Sequence, residues 1–214
     1  MKTSDRGIFA LAKHEGIVPA PYWDSANPPV LTYGIGHTKA AGDPDPAKLP
    51  RGMPADLDAA LRDVFEVFRR DLAKYEAAVL KVLDGQQVLQ HEFDAAVSFH
   101  FNTGAIARAS WVKEWLAGRK QAAANLMMQW RKPAAIIPRR EAEQELFSDA
   151  VYPSGRVAVW KVNTSGRVIW EPIRSLSQAE VLALLHPADQ PEPLTLESLA
   201  ARVAALESLH AKEA

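Results

Sequence analysis

The chain has no cysteine, so neither a disulfide nor a thiolate metal site can hold it, and its fold rests on packing alone. It also lacks any run of ~18 or more apolar residues, the minimum for a membrane-spanning helix. An excess of charge is missing too: 25 Lys and Arg stand against 26 Asp and Glu, and a net charge of -1 argues against nucleic acid as a partner. At the N-terminus charges flank a very short apolar patch, which is no signal-peptide core, and the chain is expected to accumulate in the cytoplasm. What is present is ordinary for a globular protein. Hydrophobic residues make up 48% and charged residues 24% of 214 positions, enough for one domain with a real core and a tail.

The most informative stretch runs from Glu15 to His37. Ile8, Leu11 and Glu15 fall at helical spacings of three and four, which sets the Glu15 carboxyl at a helix end on the apolar stripe. A carboxyl so placed is partly dehydrated, and dehydration favours the protonated form that a general acid needs. Asp24 has the opposite setting, beside Ser25 and Asn27 in a turn ended by Pro28 and Pro29, where water and polar neighbours keep a carboxylate ionised. Along the next strand Thr32, Gly34 and Gly36 share one face, opposite Leu31, Tyr33 and Ile35. One hydroxyl and two missing side chains would let a large ligand approach the backbone, which makes Gly34 a candidate substrate contact. Two carboxylates of opposite character beside such a face suggest a sugar-cleaving site.

Glu15, Asp24 after eight residues, and the run T-Y-G-I-G-H from Thr32 to His37 resemble the signature of the phage-type lysozymes, glycoside hydrolase family 24. The resemblance implies an α+β, mostly helical fold of two lobes: a small N-terminal β-hairpin lobe, a long connecting helix and a helical C-terminal lobe. It implies that Glu15 protonates the glycosidic oxygen of bacterial peptidoglycan while Asp24 and Thr32 hold the attacking water, with no cofactor. It also implies a protein that waits in the host cytoplasm and meets the wall after release. One spacing departs from the family: seven residues separate Asp24 from Thr32, where five are usual, so the turn is longer. A lytic transglycosylase using Glu15 alone, and a non-catalytic wall-binding module, are the alternatives.

Further along, residues 40 to 55 carry four prolines and two glycines and read as an irregular loop. Asp43 and Asp45 within it lack the further oxygen ligands that calcium requires, so no metal site is expected. From Ala55 to about Leu83, apolar residues from Leu57 to Val82 keep helical spacing without a break, which predicts the long connecting helix. By the resemblance Asp71 on that helix pairs with His37, giving the histidine a structural role. The segment from His91 to Gly104 predicts a helix stopped by glycine, and Ser110 reads as the cap of a short helix carrying Trp111 and Trp115. Tryptophans at helical spacing are expected in the core rather than on sugar. Asn102 is either a cleft-lining substrate contact or a helix-end residue. The run from Pro138 to Phe147 predicts a helix with proline in its first turn, resembling the family's G-L-x-x-R-R-x-x-E-x-x-L helix, with the usual glycine replaced by Ile136 or Ile137. Its Arg139 and Arg140 would pair with an acidic residue across the cleft, bind substrate, or stand as a solvated helix end.

The resemblance ends near Tyr152, which bounds a catalytic domain at residues 1–152. Residues 153–186 read as a β-hairpin, with Gly166 supplying a positive φ, followed by a helix opened by a Ser177/Glu180 capping box. Residues 187–214 read as a stiff Pro-rich linker and an amphipathic helix expected to dock on its own domain or on a partner helix.

Overall fold

The computed structural model describes residues 1–186; the predicted linker and terminal helix lie outside the described residues. Helix α1 spans Asp5–Glu15, opened by the Ser4 side chain, which accepts from the Gly7 N–H. Strands β1 (Val18–Trp23), β2 (Leu31–Gly34) and β3 (His37–Thr38) form an antiparallel sheet in that order, with Tyr22 opposite Thr32 and Trp23 opposite Leu31. The Pro-rich loop follows, irregular apart from two short 3-10 turns. Asp45 is held there by the Ala47 N–H and by Lys39.

Helix α2 (Leu57–Leu83) is the predicted connector; at 1.5 Å per residue it is roughly 40 Å long. The middle of its apolar stripe, including Leu61, Phe65, Phe68 and Leu72, is fully buried, while Leu57 and Val82 at its ends are partly buried. The helical lobe comprises α3 (Gln90–Thr103), α4 (Ser110–Leu116), α5 (Lys120–Met127) and α6 (Ile137–Asp149). Gly104 ends α3 in the left-handed conformation, as predicted. Trp111 and Trp115 stack in the core with ring centroids 5.6 Å apart, as their helical spacing predicts. Ser110, by contrast, makes no capping bond: Ala109 precedes the helix instead. Among the described residues no helix is long and apolar enough to cross a membrane.

The hairpin of β4 (Val157–Val162) and β5 (Val168–Leu176), with α7 (Gln178–Leu185), is built into the small lobe. The Ile17 N–H donates to Ala158 O at 2.9 Å and the Trp160 N–H to Ile17 O at 2.8 Å, so β4 runs alongside the start of β1. Val157, Val159, Leu176, Val181 and Leu185 belong to the same buried core as α1 and α2. Removing this segment would expose that apolar surface, at about 1.5–3 kcal/mol per large aliphatic side chain. At the base of α1, the buried Asp94 carboxylate accepts from the Ser4 hydroxyl (2.5 Å), the Ser4 N–H (3.0 Å) and the Tyr152 hydroxyl (2.7 Å).

Candidate active site

Glu15 is the last residue of α1, followed by Gly16 at φ +72°. A Cβ on Gly16 would stand 2.6 Å from Trp160 Nε1, so only glycine lets the chain turn under the hairpin's indole directly after the carboxyl. The Glu15 side chain keeps 27% of its surface. Its neighbour is not the apolar pocket that the helical stripe suggests. The Arg139 guanidinium reaches over from the start of α6 and donates to Oε1, while Oε2 has no hydrogen-bond partner among the described residues.

Arg139 belongs to a network buried under α6. Its Nε donates to Glu143 Oε1 at 3.0 Å and its Nη2 to Ser98 O at 3.3 Å. Arg140 Nη1 donates to the other Glu143 oxygen, its Nε to Trp130 O at 3.1 Å, and its Nη2 to Asn102 Oδ1 at 2.8 Å. The Ser98 hydroxyl donates to Glu143 Oε1 at 2.6 Å. Two guanidiniums thus share one buried carboxylate, and Arg139 also reaches Glu15 at the edge of the set. This corrects the expectation that Arg140 contacts substrate. Its exposure is 0%, and each of its three guanidinium nitrogens donates to a partner within the lobe. Asn102 is exposed at the end of α3 with its carbonyl oxygen fixed on Arg140, and both side chains border a surface hollow lined also by Gln129, Trp130 and Ile136.

On the sheet side, Asp24 follows β1 and closes the loop of residues 24–30. Its N–H donates to Val30 O at 3.0 Å, and its Oδ1 accepts from the N–H groups of Ala26 (3.1 Å) and Val30 (2.7 Å). Oδ2 has no hydrogen-bond partner among the described residues. Tyr22, two residues earlier on β1, lies within the field of both carboxylates: burial pushes its hydroxyl well above the ordinary tyrosine value, and the Glu15 and Asp24 charges push the same way. Thr32, directly across the ladder from Tyr22, is buried and its hydroxyl donates to Val30 O at 3.2 Å.

The open strand face expected at Gly34 does not form. Gly34 (φ +63°) ends β2 and packs on α2, where a Cβ would meet Val64 Cγ1 at 3.0 Å. Gly34 is therefore buried in strand-to-helix packing. His37 and Asp71 pair as expected, with Nδ1 2.8 Å from Asp71 Oδ2, and Nε2 lies 2.9 Å from Pro44 O. The ring bridges Asp71 of α2 and Pro44 O, which pins the Pro-rich loop to α2.

Sequence reasoning missed four participants. Glu143 and Ser98 were hidden by their burial, although Glu143 lies at the i+4 and i+3 positions from the two arginines, a spacing that brings side chains together. Tyr22 carries a signal only once its register with Thr32 is known. His14 is the fourth: burial, reinforced by the positive charges of Arg139, Lys13 and Arg140, lowers it to about 4, so it is neutral at neutral pH.

A protein family described as phage lysozyme matches residues 12–143, which include Glu15, Asp24, Thr32, Arg139 and Glu143. The endolysin of Bacillus phage B103 is 30% identical over 154 residues, covering 69% of this chain and 54% of that protein. The chain spans about half the length of the curated relatives it matches first. Among solved structures, an endolysin from Escherichia coli O157:H7 phage FAHEc1 superposes with a TM-score of 0.62 at 28% identity, covering 72% of this chain and 98% of that one. The muramidase domain of SpmX from Asticaccaulis excentricus gives 0.55 at 25% identity, covering 68% and 97%.

Proposed function

We propose, on the premise that this chain belongs to the phage lysozyme family, that it hydrolyses the β-1,4 bond between N-acetylmuramic acid and N-acetylglucosamine in bacterial peptidoglycan. The observation that carries this reading is a pair of carboxylates, Glu15 and Asp24, each with one oxygen tied to the protein and the other without a protein partner, with the Tyr22 hydroxyl in the field of both. Glu15 gives its proton to the bridging oxygen as the C1–O bond breaks. Arg139 holds Oε1, so Oε2 is the oxygen that reaches the substrate. Water adds to C1 from the opposite face; its proton goes to Asp24 Oδ2, and Thr32 helps hold it. Asn102 presents its amide N–H groups to a neighbouring sugar, and Arg139 acts by positioning Glu15. The acid, the carboxylate and water complete the reaction without a cofactor. As an endolysin the protein would act on the wall after release from the cell interior.

The test is digestion of purified peptidoglycan by the wild type, Glu15→Gln and Asp24→Asn, with products read by mass spectrometry. Reducing-end muropeptides that disappear in both variants are the expected result. Anhydro products that persist in Asp24→Asn would replace the proposal with a transglycosylase, and no products from the wild type would leave a wall-binding module.

A further inference from the structure

The C-terminal hairpin lies outside the matched family region, yet it forms a wall beside Asp24. A hollow of about 540 Å³ opens between Trp23, Asp24 and Ser25 at the end of β1 and Ser165, Arg167 and Trp170 of the hairpin. Its size falls in the range of small-molecule sites, ~300 to 1,000 Å³. The wall is fixed in place. Asn163 Oδ1 accepts from the N–H groups of Ser165 (3.1 Å) and Arg167 (2.9 Å), and the Trp23 N–H donates to Gly166 O at 2.9 Å, so turn and strand move together. Trp170 is 77% exposed, and its ring stands edge-on against Trp160 at 5.2 Å, which holds the indole as a platform. Trp23 is 47% exposed on the opposite side. The Arg167 guanidinium has no hydrogen bond or ion pair among the described residues, and nothing in the lobe accounts for an exposed indole beside an unpaired cation.

We infer that this hollow is an additional subsite for the glycan strand, taking a muramyl sugar on the Trp170 indole and a carboxylate of its peptide branch on Arg167. The inference rests on the lysozyme reading for the identity of the ligand. Three features select this occupant. A pyranose ring has an apolar face that suits an exposed indole. A branch carboxylate suits the guanidinium, the Ser25 hydroxyl suits a sugar oxygen, and the Ser165 oxygen, whose proton goes to Asn163 Oδ1 at 2.7 Å, can accept from a sugar hydroxyl. The hollow is also continuous with Asp24, so a strand lying across the scissile position runs into it.

Binding is measured by calorimetry in the Glu15→Gln background, with two probes: soluble, uncross-linked peptidoglycan strands that carry peptide branches, and chitohexaose, which has no carboxylate. Trp170→Ala is expected to weaken both probes about fivefold to tenfold, and Trp170→Phe to restore most of the loss. Arg167→Gln is expected to weaken the peptidoglycan strands about fivefold and chitohexaose less than about twofold. Unchanged affinity for the strands in either variant overturns the inference, as does an equal effect of Arg167→Gln on both probes. Failure of the lysozyme reading looks different: the wild type would cleave no peptidoglycan while binding still depended on Trp170.

Discussion

On the α6 side of the Glu15 carboxyl, Arg139, Arg140, Glu143 and Ser98 are buried and bonded to one another, with further bonds to Glu15, Trp130 and Asn102. On the hairpin side Asp24 keeps an oxygen without a partner among the described residues, the Arg167 guanidinium has none there either, and Trp170 stands in solvent. The first wall fixes geometry and the second offers contacts. A charge enclosed by counter-charges has no capacity left for a ligand, while an open one contributes little to folding because water already serves it. The contrast implies that substitutions on the α6 side act mainly through stability, and those on the hairpin side mainly through binding and turnover.

The sharpest break of that contrast is Glu143→Gln. It leaves two buried guanidiniums without their shared anion, and thermal melts should show a loss of about 3–5 kcal/mol. A loss below about 1 kcal/mol would mean that water already enters the network. His14 gives the next largest effect, and it depends on pH. Its folded value of about 4 lies below the ordinary 6.5, so its contribution is fully present above pH 6.5 and is lost as pH falls toward 4. Wild-type stability should drop by at most about 3 kcal/mol over that window, and the drop should shrink in His14→Gln, as followed by melts between pH 7 and 4.5. Arg139→Lys keeps the charge but cannot span Glu15, Glu143 and Ser98 O with one planar fork. A cost of about 1–2 kcal/mol is expected, with kcat reduced about tenfold by the loosened Glu15. Smallest in stability is Asp24→Asn, whose amide oxygen can still accept from Ala26 and Val30; its melt should lie within about 0.5 kcal/mol of wild type while turnover collapses.

Much of this was legible in the sequence because it is periodic or local. The stripe of α2, the glycine stop of α3, the Ser177/Glu180 box and the 157–176 hairpin all rest on contacts within a few residues, and the structure contains each. The errors lie where local rules stop. Alternation along β2 placed Gly34 on an open face, but the positive φ at Gly34 and again at Gly36 ends the strand and with it the two-residue period. Glu15 was read as dehydrated from its helical stripe, because the guanidinium that meets it comes from 124 residues further on. Arg140 looked like any arginine at a helix start, since its burial depends on Trp130 and Asn102, brought together only by the packed lobe. The union of β4 with Ile17 is likewise a long-range pairing that no pattern in either segment announces.

The central claim is that two carboxylates, one giving a proton and one guiding water, cut the glycan strand. The most direct test is digestion in ¹⁸O-labelled water, with the anomer of the new reducing end followed by NMR and the label by mass spectrometry. Water delivered to the face opposite Glu15 predicts an α-anomer as first product, carrying one ¹⁸O and absent in Glu15→Gln. Unlabelled anhydro ends, or a β-anomer formed first, would contradict the account.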